Sequence, residues 1–594
     1  MKYWIFFICL AGSFVFFGNS IPGDFVFDDG AVVEKRPDLK DFGHFPQLFV
    51  EPYHQNLPKS GLYRPFTMAT YAFNYAILGK SPGGFHVVNI ILHGLNTFLA
   101  YVLMLRLTNS KSIAGIAGFL FLAHPIHTEA ISSIVGRAEL LAFLFGLLSI
   151  LLFKLNRTRW SAVAFFLALL SKETAVMVLP MMVVLSWWFV GERIRVLAKR
   201  MAIFIVPSVI YVGLRFVALG RYVFSGGTTT IVENQLIEVS LWVRIWTALQ
   251  ILWEYAVRLV WPLHLSADYS YQTFENISNP LLSLPAVLGA GVFLVLFLLL
   301  ILRRFRGTVP SMGALFFLGP YLLVSNLIIP IGTIMGERLM YWPSLGFALL
   351  VGWSLDAIMK KWQRIKVFIW SILILYVSWY GVRTIMRNQD WLTQERLFTS
   401  AVRESPRAFL TRTALGAIHI RAGRWEDAKT ELARASEIYS ENSHLLNLLG
   451  IVAHHEKELV RAEEYWEKSI ALNADAINSY INLGSLYLEQ GRYNEAGEQF
   501  KRVIDFYPLA EYVIRYAYIQ ITLNQPDLAL ETITRYYGDR LHDKELAAVV
   551  GTAYFLKAEY ARALEHLRIA RQLGKTNPEI ETMIATSEKR IKQP

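Results

Sequence analysis

The sequence predicts an all-α protein in two parts, a polytopic membrane helix bundle followed by an α-solenoid. Three observations carry that prediction. Apolar runs long enough to cross a bilayer as helices fill the first two-thirds of the chain. The 594 residues are 54% hydrophobic and only 18% charged, whereas a soluble protein carries about 25% charge. After about Asp390 the composition turns soluble, and a repeat near 34 residues sets in. The two parts are residues 1–390, with outer loops 21–85 and 220–282, and residues 405–590.

The first apolar run follows Met1-Lys2 and reaches about Phe17. It reads as an uncleaved anchor rather than a signal peptide, because its small residues Ala11-Gly12-Ser13 lie mid-run. Further spans are expected at 86–105, 112–130, 138–153, 160–171, 174–190, 201–219, 283–302, 311–330, 339–358 and 367–386. With 3–20 that makes about eleven. The stretch 241–262 carries Arg244, Glu254 and Arg258 among Trp and Leu. It suits a helix lying in the interface better than a span.

Positive residues next to spans mark the cytoplasmic side. The clusters are Arg106 and Lys111; Lys154, Arg157 and Arg159; Arg193, Arg195, Lys199 and Arg200; Arg303, Arg304 and Arg306; and Lys360, Lys361, Arg364 and Lys366. Eleven spans with a cytoplasmic N-terminus put all of them inside. The net charge of +11 is thus a topology signal, and nucleic acid is not an expected partner. The one cysteine, Cys9, excludes an intrachain disulfide. The same parity places 21–85, 131–137, 171–173, 220–282 and 331–338 together on the opposite face, periplasmic or lumenal, along with the C-terminal part.

That part is periodic. Leu415, Leu449, Leu483, Ala517 and Gly551 mark one helix of each unit. Ala428, Ala462, Ala496, Ala529 and Ala563 mark the other, at spacings of 34, 34, 33 and 34. This is the tetratricopeptide period, and about five repeats form an array whose concave face binds acceptor or partner proteins.

Polar islands interrupt the apolar part. Charged groups are costly in hydrocarbon and are kept there mainly where they work. Asp28-Asp29 follows the first helix. Two neighbouring carboxylates cannot both enter one pocket, so one serves as base or metal ligand while the other orients it. His86, Asn89, His93 and Asn96 form one helical stripe facing the bundle. Of these, His86 lies at the outer end. His124, His127 and Glu129 invite a zinc reading. Pro125 disrupts their spacing, no third strong ligand follows, and a polar pocket for phosphate or sugar hydroxyls fits better. Arg64, Arg137, Lys172 and Arg338 are outer-face cations. Each can pair with a local acid, Lys172 with Glu173 or Arg338 with Glu337, or hold a lipid phosphate. No phosphate-loop or dinucleotide glycine motif is present, so the donor is expected to arrive through the membrane.

Together these motifs resemble the transmembrane and tetratricopeptide repeat (TMTC-like) protein O-mannosyltransferases, part of the polyprenyl-phosphate-sugar glycosyltransferases with the type C (GT-C) membrane fold. The stretches that match are Phe27-Asp28-Asp29, Tyr63-Arg64-Pro65, Gly84-Phe85-His86-Val87-Val88-Asn89, and His124-Pro125-Ile126-His127-Thr128-Glu129. Val135-Gly136-Arg137-Ala138-Glu139, Ser171-Lys172-Glu173, Leu265-Ser266-Ala267-Asp268-Tyr269 and Glu337-Arg338 also match. The short array points to a prokaryotic relative. The resemblance implies inverting transfer of mannose from a polyprenyl-phosphate donor to Ser or Thr hydroxyls of acceptor proteins. It makes Asp28 or Asp29 the base. It places Arg64, His86, His124, His127, Glu129, Arg137, Lys172, Glu173, Glu337 and Arg338 around substrate and lipid phosphate. No metal site is assigned, and a divalent metal is an open addition. The setting is a bacterial inner membrane, or the ER membrane in a eukaryote. The alternatives are a transferase acting on a glycolipid or cell-wall polymer, and a non-enzymatic membrane scaffold.

Overall fold

The computed structural model describes residues 2–54, 58–223, 229–538 and 543–593. The parts of the expected outer loops and repeats at 55–57, 224–228 and 539–542 lie outside the described residues. Among the described residues the fold is all helix, with no strand. It divides into two compact units, Met1–Leu415 and Gly416–Pro594.

The first unit begins with α1 (Lys2–Phe17), α2 (Pro65–Leu78), α3 (Pro82–Thr108) and α4 (Lys111–Ala123). The short α5 (Thr128–Ser132) leads into α6 (Arg137–Lys154) and α7 (Thr158–Ser171). Then come α8 (Val178–Val184), α9 (Ile194–Met201), α10 (Ile205–Leu219) and α11 (Leu241–Val260). The unit ends with α12 (Leu284–Ile301), α13 (Val309–Val324), α14 (Pro343–Lys361), α15 (Lys366–Asp390) and α16 (Gln394–Glu404).

Seven helical stretches among the described residues are long and apolar enough to cross a membrane. They are Tyr3–Ser20, Pro82–Thr108, Ile134–Lys154, Glu173–Val190, Ile194–Tyr222, Leu284–Ile301 and Gln363–Asp390. Lys111–Ala123, Thr158–Ser171 and Val309–Val324 are shorter apolar helices. Large apolar side chains point outward from the long ones: Phe216 is 60% exposed, Val295 58% and Leu375 70%. Water would not tolerate so much apolar surface, but lipid does. This is a helical membrane protein.

Small residues set the helix spacing where lipid offers no hydrophobic drive. A side chain added at Gly346 of α14 would meet the Phe317 nitrogen of α13 at 2.4 Å. One added at Gly289 of α12 would meet the Leu249 carbonyl of α11 at 1.8 Å. Polar side chains supply the other fastener. Ser13 of α1 donates to the Ile90 carbonyl of α3 at 2.7 Å. Tyr341 joins α3 twice, through His93 Nδ1 at 2.8 Å and Asn96 Nδ2 at 3.1 Å.

The second unit is a stack of antiparallel helix pairs, such as Ser443–His455 with Leu459–Leu472 and Ile477–Glu489 with Tyr493–Phe506. The periodic alanines Ala428, Ala462, Ala496, Ala529 and Ala563 are all fully buried. The periodic glycines admit a bulky apolar side chain of the partner helix. A side chain at Gly450 would meet Trp466 at 2.4 Å, and one at Gly484 would meet Phe500 at 2.9 Å.

Candidate active site

The acidic pair is split by its surroundings. Asp29 is fully buried. Its Oδ1 accepts the Val135 N–H at 2.9 Å and the Ser133 hydroxyl at 3.3 Å. Its Oδ2 accepts the N–H groups of Val26 and Ile134, both at 3.2 Å. Burial raises the Asp29 carboxyl to about 7, the neighbouring Asp28 charge adds to the rise, and the three backbone N–H groups oppose it. Asp29 therefore ties the first outer loop to the turn between α5 and α6. Asp28 instead lines a cavity of ≈ 400 Å³. No hydrogen bond or ion pair from the described residues engages its carboxylate.

The same cavity is lined by Tyr53, His54, Arg64, Glu139, Lys172, Glu173 and Arg338. Four of the five connections expected on one face contribute to it: 21–85, 131–137, 171–173 and 331–338. Its cations are already paired. Arg64 grips Glu173 in a fork, with Nε to Oε2 at 3.1 Å and Nη2 to Oε1 at 2.8 Å. Its guanidinium also lies 5.0 Å from the Tyr53 ring centre. Burial disfavours the Arg64 charge, yet the Glu173 carboxylate outweighs it and holds the guanidinium pKa above its ordinary value. Lys172 is hydrogen-bonded to Glu139. Burial lowers the Lys172 pKa, with Glu139 opposing. Arg338 binds Glu129 through its main-chain N–H at 2.8 Å and Nη1 at 2.5 Å. With 30% of its side chain exposed, Arg338 keeps guanidinium donors free for the cavity.

The remaining predicted residues stand behind this wall. Arg137, fully buried, donates to Asn89 and Asn74 at 2.9 Å each and to the carbonyls of Phe85 at 3.0 Å and Thr70 at 3.3 Å. That network ties α2, α3 and α6 together and leaves no room for a lipid phosphate. His86 is buried beneath Gly23. His124 Nε2 meets the Leu259 carbonyl at 2.9 Å, and its Nδ1 accepts the Ile126 N–H at 3.1 Å. His127 Nε2 meets Ser344 Oγ at 2.8 Å. His127 Nδ1 has no hydrogen-bond partner among the described residues, but the ligand atoms of His124, His127 and Glu129 do not converge as a metal-binding group. Glu129 does not line the cavity and binds Arg338, which does. Glu337 is fully buried and accepts the Tyr269 hydroxyl at 2.8 Å. Burial raises its carboxyl to about 7, against the Arg387 charge.

Asp38, His44 and Glu51 bring three ligand atoms within 4.8 Å of one another, the one such group among the described residues. They do not line the cavity. Arg36 already grips both Asp38 oxygens, at 2.8 and 2.5 Å. Sequence reasoning did not pick out Tyr53 and His54, which sit mid-loop with no pattern around them. Glu139 was legible only as the acid following Arg137.

A tetratricopeptide repeat family model matches residues 440–508. The human protein named "Protein O-mannosyl-transferase TMTC3" is 26% identical over 527 residues, covering 81% of this chain and 53% of that protein. The chain is TMTC-like in sequence. The Drosophila melanogaster protein "Protein O-mannosyl-transferase Tmtc3" is 24% identical and spans 94% of this chain and 64% of its own length. Human TMTC4 is 27% identical over 68% of the chain and 62% of its own length. The chain thus spans only about half to two-thirds of these relatives. Among solved structures, Pseudomonas aeruginosa pilF matches at 20% identity, covering 32% of this chain and 92% of that one, with a TM-score of 0.26.

Proposed function

We propose that this protein is a multi-pass membrane glycosyltransferase that moves mannose from a polyprenyl-phosphate donor to Ser or Thr hydroxyls of proteins. The cavity opens on the periplasmic or lumenal face. One observation carries the reading: among the described residues, Asp28 is a cavity carboxylate that no hydrogen bond or ion pair engages, beside cations that each hold an acid. Glu139 and Glu173 are occupied by Lys172 and Arg64, so Asp28 is the acid left to take a proton.

In this scheme the acceptor hydroxyl gives its proton to Asp28. Its oxygen bonds to the anomeric carbon as the bond from that carbon to the phosphate oxygen breaks, which inverts the centre. The electron pair leaves with the polyprenyl phosphate. Arg338, at the cavity wall with free donors, stabilises that charge where it develops. Lys172, neutralised by Glu139, supplies a weaker field. The names of the TMTC relatives support the reaction class. The repeats supply a surface for acceptor proteins.

The test is purified protein in lipid with radiolabelled polyprenyl-phosphate mannose and a mixed peptide acceptor. Parallel arms contain a chelator and lipid acceptors. Sugar on peptide hydroxyls, lost in Asp28→Asn at unchanged thermal stability, supports the reading. Transfer to lipid alone favours a glycolipid transferase. No transfer from any prenyl-linked sugar favours the scaffold. Loss of activity with the chelator would add a divalent metal to the scheme.

A further inference from the structure

The loop that carries Asp28 is gripped from two sides. Asp29 holds one side, on the turn at 133–135. The other hold comes from the segment that follows the last long apolar helix. Phe27, the residue before Asp28, has φ +54°. A bulky residue takes this left-handed conformation only where its surroundings impose it.

Those surroundings belong to the 391–404 segment. Gln394 Oε1 accepts the Phe27 N–H at 3.0 Å. The Leu392 carbonyl accepts the Asp24 N–H at 2.9 Å. The Phe27 ring meets Phe398 of α16 edge to face, with centroids 5.8 Å apart. Next to it, fully buried Val26 packs in one cluster with Trp391, Leu397 and Ala401. A hydrogen bond, an aromatic pair and a buried aliphatic contact thus converge on Val26 and Phe27, the two residues before Asp28. If Phe27 relaxed to an ordinary negative φ, the chain direction after it would swing and Asp28 would leave the cavity wall.

We propose that α16 is a positioning element for the base. Gln394 and Phe398 are its positioning residues, and they act by holding Phe27 in the left-handed turn that aims Asp28 into the cavity. This inference rests on the proposed role of Asp28. In sequence, α16 is the last helix before the repeats begin.

Two readouts on the full-length protein in lipid test it. Hydrogen exchange of residues 24–30 reads the loop whether or not the protein transfers sugar. Loss of one hydrogen bond in Gln394→Ala should speed exchange there about five-fold, and Phe398→Ala should do the same. Exchange in α3 should stay at the wild-type rate, which shows that the bundle is intact. Phe398→Tyr, which keeps the ring, should restore protection. In the mannose-transfer assay, Gln394→Ala and Phe398→Ala should lower kcat by about 10²-fold through misplacement of the base, with KM for the donor unchanged. Wild-type exchange at 24–30 in both alanine variants would overturn the proposal. So would raised exchange with unaltered kcat. If the wild-type protein transfers no sugar, the proposed function falls, and faster exchange would support only the clamp of α16 on the loop.

Discussion

Arg338 meets Glu129 twice, through its main-chain N–H at 2.8 Å and through Nη1 at 2.5 Å. Glu129 is almost completely buried, whereas Arg338 reaches the cavity. The carboxylate thus fixes both the backbone and the head group of the cation that faces the proposed leaving phosphate. Arg338→Lys keeps the charge but loses the planar fork. It should lower kcat for mannose transfer by about 10²-fold with KM for the peptide acceptor unchanged. Steady-state kinetics in lipid decide this, and wild-type kcat in Arg338→Lys would remove the residue from the mechanism.

Asp29 gives a pH signature. Its carboxyl is raised from 3.8 to about 7. Between those values the folded state holds a proton that the unfolded chain has released. Stability therefore falls as pH rises through the window and levels off above about 7. Glu337, raised from 4.5 to about 7, slopes the same way. Asp29→Asn should reduce the slope of unfolding midpoint against pH between about 4 and 7. It should also cost about 1–3 kcal/mol at the acid end of that window, because an amide cannot accept at both positions, and the cost should shrink as pH rises and wild type loses its own proton-linked stability. Equal slopes in wild type and variant would contradict the assignment.

The Arg64–Glu173 fork predicts strong coupling. Glu173→Gln and Arg64→Met should each destabilise by about 1–3 kcal/mol by leaving a partner unmatched. The double variant should lose less than their sum. Denaturation of all four proteins closes the cycle, and strict additivity would mean that the fork contributes nothing.

Sidedness is testable because Cys9, the single cysteine, is buried. In Lys199→Cys and Ser278→Cys, both at exposed positions, an impermeant maleimide should label only Ser278→Cys in intact cells. Both should label after lysis. Equal labelling of the two before lysis would refute the proposed topology.

Much of the architecture was legible in the chain itself. Spans were expected at 86–105, 138–153 and 283–302 because apolar runs of that length report directly on their solvent, and the helices Pro82–Thr108, Arg137–Lys154 and Leu284–Ile301 stand there. The repeats were legible because each unit needs a small residue where its two helices touch, as at Gly450 against Trp466. Charge parity gathered the polar islands on one face, and residues from four of those connections line the cavity.

What the sequence determined was therefore what depends on spacing along the chain: an all-α membrane part, a tetratricopeptide tail, and a short roster of polar residues. Only the tertiary structure decided which of that roster face the cavity. Asp28 and Asp29 are adjacent and chemically identical, yet one lines open space and the other is spent on the 133–135 turn. Arg64 and Arg137 are both arginines of the polar islands, yet one reaches the cavity and the other ties three helices together. A polar side chain's role depends on which donors and acceptors remain unmatched after the helices have rotated and packed. That balance is struck between residues tens to hundreds of positions apart, where no local pattern records it.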